Sequence, residues 1–355
     1  MYAETVSGSF WFLFSYDVCE EIRLDRLRGL IGVDLPAPAA HKQPPDYPAF
    51  ERPPIVEHLP PQTAGSGSPL RAEINYYDYG VISIKLELPF SLTWAALVSQ
   101  SSSLLELPEP HALAAATVRA RIRSIADAMV NPRDPWLEED YYVIHVNSEA
   151  PALLDSKAAE IAQIVRGEQT QLAPSEQEEV LRHRLSYYPN DLIVIGWTAT
   201  FVHDNPDGAA AAIRLLEYAN TQLLEFRYYD HVLTRVLEGV YKSLGRRSGL
   251  LSRWRMARDA RQLNTLLLEV RELTERADTA VKFLSDMYAA RVYRLAADKL
   301  GVGDYRRLVD SKLHTAAELY GFMMDQFHAS RAFVLELMVV IILVIELIYL
   351  FRGKR

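Results

Sequence analysis

Three groups of residues have the types and spacings from which chemistry could be built. The stretch EYANTQLLEFRYYDH (217–231) is the first. If helical, it sets Glu217, Asn220, Leu224 and Arg227 along one side, with Glu225 over Tyr229 and Arg227 over His231 one turn apart. Such a polar-aromatic set could hold a ligand or could join a helix to a neighbouring body. The second reading is preferred: Glu217, Asn220, Glu225, Arg227, Tyr229 and His231 are expected to form a body–stalk seam. The second group is YKSLGRRSGLLSRWRMARDAR (241–261), in which Lys242, Arg246, Arg247, Arg253, Arg255, Arg258 and Arg261 stand against Asp259, with Trp254 interleaved. It reads either as a solvated helix start or as a contact for lipid headgroups or RNA phosphates. The third is SRAFVLELMVVIILVIELIYLFRGKR (330–355), where Arg331, Glu336, Glu346 and Arg352 stand in or beside an apolar run.

Residues 332–351 of that run are long enough to cross a hydrocarbon core of about 30 Å. Each glutamate lies five positions from Ile341, about 7–8 Å from the midplane, where a carboxylate is tolerable. A carboxylate in a span marks either an ion path or an assembly contact. One span per chain favours the second, with the glutamates protonated or paired: Glu336 with Arg331 of a neighbouring helix or its own, and Glu346 with Arg352 across an interface.

Motifs of catalysis are missing from the sequence. The nine histidines form no His-x-x-x-His pair and no His-Glu-x-x-His motif. There is no Gly-rich phosphate loop, dinucleotide fingerprint or nucleophile elbow. HDNPD (203–207) lacks the spacing of a calcium loop and reads as a turn. Cys19 is the lone cysteine, which excludes an intrachain disulfide and reads as a small core residue. No catalytic, metal or cofactor set is expected, and no small-molecule ligand is indicated. The net charge of −8 argues against general nucleic-acid binding and leaves only local basic patches.

The elements that would carry these residues fall into two styles. SFWFLFSYDV (9–18), AEINYYDYGVISIKLELP (72–89), DYYVIHV (140–146) and DLIVIGWTATFVHD (191–204) read as strands or hairpins. Between them lie helical patterns, one opened by a capping box of Ser175 and Glu178. Residues 34–69 are dense in Pro, Gly and Ser and are expected to be a linker or disordered insertion. From 209 onward the strands stop and long helical stretches follow, at about 209–244, 250–300 and 304–351. The expected fold class is α+β: a mixed strand-and-helix body followed by a long helical stalk and one C-terminal transmembrane helix. The expected divisions are 1–33, 34–69, 70–208, 209–330 and 331–355.

The tail also resembles a known family. A basic residue, Leu-Glu, an apolar run, and Ile-Glu ten positions after the first Glu is similar to the signature of the DUF155 family, the "required for meiotic nuclear division" or Sad-interacting factor group. Here these are Arg331, Leu335–Glu336, LMVVIILV and Ile345–Glu346. YRRLVDSKLHTAAELYGFMMDQ (305–326) resembles that family's preceding helix. Leu337 replaces the usual Trp, and Val334 a frequent basic residue. The resemblance implies an α+β domain with a membrane span, and relatives that support organellar translation. MYAETVSGSF resembles neither a secretory signal nor a transit peptide. The expectation is therefore a bacterial member in the inner membrane, its body in the cytoplasm. The expected partners are a lipid bilayer, further copies of the chain, and RNA or the ribosome. The expected function is a non-catalytic, self-associating scaffold or assembly factor. A translation-supporting RNA or ribosome docking factor is the alternative, and an enzyme with a pocket in the body is a third.

Overall fold

The computed structural model describes residues 5–32, 52–63, 69–148, 151–244 and 287–352, together with helical positions between 260 and 270. The chain forms two compact units, Met1–Tyr228 with Ala277–Tyr305 and Tyr229–Arg276 with Arg306–Arg355. The first unit is built on an eight-stranded sheet. Its strands are β1 (Thr5–Ile22), β2 (Ile55–Thr63), β3 (Pro69–Tyr76), β4 (Val81–Thr93), β5 (Met129–Asn147), β6 (Arg184–Leu185), β7 (Leu192–Ile195) and β8 (Ala199–His203). They lie in the order β2-β3-β4-β1-β5-β8-β7-β6. All neighbours are antiparallel except β5 and β8.

Alternation along β1 decides the two faces. Phe10, Phe12, Phe14 and Tyr16 point to one side and join the main core. There they meet α1 (Leu24–Ile31), α2 (Trp94–Leu105), α3 (Pro108–Ile125), α4 (Leu153–Arg166) and α5 (Pro174–Arg182) through Leu27, Leu97, Val118, Ile161 and Val180. The intervening residues of β1, Leu13, Ser15 and Asp17, are equally buried but face the opposite side. That side receives the first part of α6 (Pro206–Leu244). α7 (Met287–Lys299) also belongs to this unit, and its Tyr293 ring lies 5.7 Å from that of Tyr218.

The β3–β4 turn ends on Gly80, whose φ is +92°; a Cβ there would sit 1.8 Å from the Cys19 carbonyl oxygen. Only glycine satisfies both conditions.

In the second unit the far half of α6 packs with residues of 260–270 and with α8 (Val302–Arg352). Leu237, Leu263, Leu267 and Ala316 form one cluster, and Val240, Ala260 and Met323 another. Lys312 Nζ donates to Asp230 Oδ1 and Thr234 Oγ1, both at 2.6 Å, tying α8 to α6 within this unit.

Three expectations are corrected. Among the described residues no helix is long and apolar enough to cross a membrane. The C-terminal transmembrane helix, and with it the membrane anchoring and inner-membrane location, is therefore not supported. Among the described side chains of α8, the apolar ones from Met338 to Leu347 are exposed. Secondly, the Pro-rich segment 34–69 is not all linker, because Ile55–Thr63 is β2. Pro60 and Pro61 fit there because β2 is an edge strand and they occupy the shift in its register between Leu59 and Gln62. Thirdly, Ser175 caps nothing: α5 starts at Pro174, with Ala173 as N-cap, since proline's fixed φ suits the first helical position.

Candidate functional site

The most unusual chemistry in the first unit is a charged layer between the sheet and α6. On α6, Glu217, Asn220, Thr221, Leu224 and Glu225 recur at helical spacing on one side, and all are at most 1% exposed. They meet polar residues that alternate along β1, β3 and β4. Register sets these in rows: Glu73 opposite Lys85, and Asn75 opposite Ser83, which in turn lies opposite Ser15.

Glu217 is the centre of one half. Asn75 Nδ2 donates to both of its carboxylate oxygens, at 2.7 and 2.9 Å. Lys85 Nζ stands 3.5 Å from Glu217 and 2.5 Å from Glu73. Burial pushes the Lys85 ammonium down, but Glu217 and Glu73 outweigh it and hold its pKa above the ordinary value. Lys85 is therefore a fixed cation and not a proton acceptor near neutral pH. Burial, reinforced by Glu217, raises Tyr77 well above the usual phenol range. Tyr79 is raised likewise, chiefly by burial. The Thr221 hydroxyl donates to the Tyr218 carbonyl at 2.8 Å, so the Tyr79 hydroxyl, also 2.8 Å away, donates to Thr221.

Arg133 is the centre of the other half. It pairs closely with Asp17, lies 3.8 Å from Glu225, and has its guanidinium carbon 3.6 Å above the Tyr228 ring centroid. Arg227 pairs closely with Glu139 on β5. Cys19 lies nearby in β1; burial pushes its thiol up to about 12, so it is not a nucleophile.

The strands that could line an enzymatic pocket, β5, β7 and β8, bring less together. His145 faces α6, its Nε2 3.0 Å from the Asp204 carbonyl oxygen. His203 is on the other face, since it pairs with Leu192 of the main core. Burial lowers the pKa of both, with Asp191 partly offsetting the effect at His203. The HDNPD stretch is the start of α6: Asn205 Oδ1 accepts from the amides of Asp207 and Gly208, at 3.0 and 2.9 Å, as a helix cap. Among the described residues no group of three or more His, Cys, Asp or Glu could hold a metal ion.

The residues named from the sequence are thus distributed. Glu217, Asn220, Glu225 and Arg227 all join the charged layer of the first unit. Tyr229 is buried in the second unit, and His231 is exposed there. Of the basic stretch, Lys242 is exposed and 3.4 Å from Glu238, and Arg261 is exposed. Arg246, Arg247, Arg253, Trp254, Arg255 and Arg258 lie outside the described residues. Arg331, Glu336, Glu346 and Arg352 fall on α8, and the Glu346 side chain is exposed. Sequence reading missed Asp17, Glu73, Asn75, Lys85, Arg133 and Glu139. The signal was present in VISIKLELP, where Ser83, Lys85 and Glu87 alternate with apolar residues. Such a polar face ordinarily meets water. Here it meets α6.

Comparison with known proteins gives a family. The sequence profile described as uncharacterized protein MJ0711, N-terminal domain, matches residues 7–210, and the chain belongs to this family. Uncharacterized protein MJ0711 of Methanocaldococcus jannaschii is 17% identical over 216 residues, 61% of this chain and 66% of that protein. The match thus spans a little less than two thirds of that relative's length. No solved structure matches.

Proposed function

We infer that this member of the MJ0711 N-terminal-domain family is a self-associating scaffold whose copies meet through α8. One observation carries the reading. Nine large apolar side chains between Met338 and Leu347 are each 48–57% exposed, at every position but Glu346 and so on every side of the helix. A helix apolar all round belongs in the interior of a bundle. Exposed apolar surface beyond a few hundred Å² marks an interaction site. A second copy supplies a cover of the same length and chemistry, and homo-oligomers are the common outcome of a self-complementary patch. The finer kinship with the DUF155 group belongs to the same proposal. It rests on Arg331, Leu335–Glu336 and Ile345–Glu346, which lie beyond the matched residues 7–210.

Sedimentation of the full chain in aqueous buffer tests this. The expected result is a dimer or larger oligomer that dissociates on dilution, and that Ile342→Glu with Val339→Glu converts to a folded monomer. A wild-type monomer at micromolar concentration would overturn it.

A further inference from the structure

We propose that the charged layer between the sheet and α6 holds a monovalent cation, ligated by Asn75, Ser83, Ser15 and Asn220. The three sheet residues form one row. Asn75 pairs with Ser83 across β3 and β4, and Ser83 with Ser15 across β4 and β1. Directly opposed residues place their Cβ atoms about 5 Å apart, so the three side chains share one face within about 10 Å. Asn220 stands over that face, on the same side of α6 as Glu217 and Glu225.

Each of the four residues is at most 2% exposed. The nitrogen of Asn75 is spent on Glu217, which leaves its Oδ1 without a donor. The hydroxyl oxygens of Ser15 and Ser83, and both amide atoms of Asn220, also have no hydrogen-bond partner. Folded proteins rarely leave one such group unmet. Here four buried residues on two facing elements share the deficit, and oxygen atoms dominate it.

The layer also holds buried carboxylates. Asp17, Glu217 and Glu225 are at most 1% exposed, while the cations set among them are Lys85 and Arg133. Arg214 is close enough to Lys85 to act against its proton. Divalent sites for Ca2+ and Mg2+ are built on carboxylate ligands. Hydroxyl and amide oxygens with carboxylates one step behind suit a weaker, singly charged ion.

Thermal unfolding of the full chain, at constant ionic strength in choline, sodium or potassium chloride, is the test. Sodium or potassium is expected to raise Tm by about 5 °C or more at about 100 times its dissociation constant, with saturation. Ser15→Ala with Ser83→Ala is expected to remove the difference between salts and keep the fold in choline. Identical melting in all three salts would mean that water alone fills the layer, and would overturn the proposal. So would a double variant that keeps the salt difference. If that variant fails to fold, anomalous scattering from thallium(I)-soaked wild-type crystals decides. A peak between Ser15, Ser83 and Asn75 is expected, and its absence overturns the site.

Discussion

Lys85 illustrates how a buried charge is held. Its ammonium is shared between Glu73, which reaches solvent, and Glu217, which does not. Lys85→Met removes the cation and leaves Glu217 buried with Asn75 and Tyr77 as neutral donors. A loss of about 3–5 kcal/mol is expected by denaturant titration, because an uncompensated buried carboxylate remains. Lys85→Met with Glu217→Leu should recover most of it, since both charges leave together. Equal losses in the single and double variants would show that the pair is not coupled. His145 and His203 give a pH dependence. Both have pKa values lowered by burial, so the unfolded chain binds more protons than the folded one below the ordinary value of 6.5. Their burial in neutral form favours folding above about 6.5, and that stability is lost as the pH falls through the lowered values. Asp204, raised by burial, works in the opposite sense at lower pH. Tm should fall between pH 7 and pH 5, and His145→Gln with His203→Gln should flatten that fall. A double variant with the wild-type slope would place the dependence elsewhere.

At the scale of elements, β2 is the piece that sequence composition concealed. Glu57 on this strand accepts from the Tyr76 hydroxyl at 2.7 Å and pairs closely with Arg121 of α3. Ile55 is buried against the main core. Excising Ile55–Thr63 should therefore lower Tm markedly and promote aggregation, because the edge of β3 becomes available for pairing with other chains. A shortened chain that melts within a few degrees of the wild type and stays dispersed would show that β2 is not a structural strand.

For the whole molecule, the net charge of −8 sets copies against one another. The proposed association through α8 would have to overcome that repulsion with apolar contact. Added sodium chloride should therefore raise the oligomer fraction in sedimentation, by screening the repulsion and strengthening apolar burial. Dissociation by salt would instead assign the contact to ion pairs.

What the sequence determined by itself was local. Aromatic and β-branched runs such as 9–18 read as strands, and the 3.6-residue pattern after 209 reads as helix, because these periods follow from backbone geometry. The glutamate, asparagine and arginine spacing of 217–231 was visible for the same reason. Tertiary structure decided what those elements face. Ser83, Lys85 and Glu87 alternate as a solvated strand face would, yet α6 covers that face, and Arg214, which acts on the Lys85 proton, belongs to that distant helix and not to the strand. The edge position that lets Pro60 and Pro61 sit within a strand is likewise a property of the strand order, and not of the segment. The apolar run of α8 reads as a span in one dimension. In the folded chain, among the described residues, it is part of a 51-residue helix that is not long and apolar enough to cross a membrane. Periodicity is written within a segment; burial and charge pairing belong to what the fold lays against it.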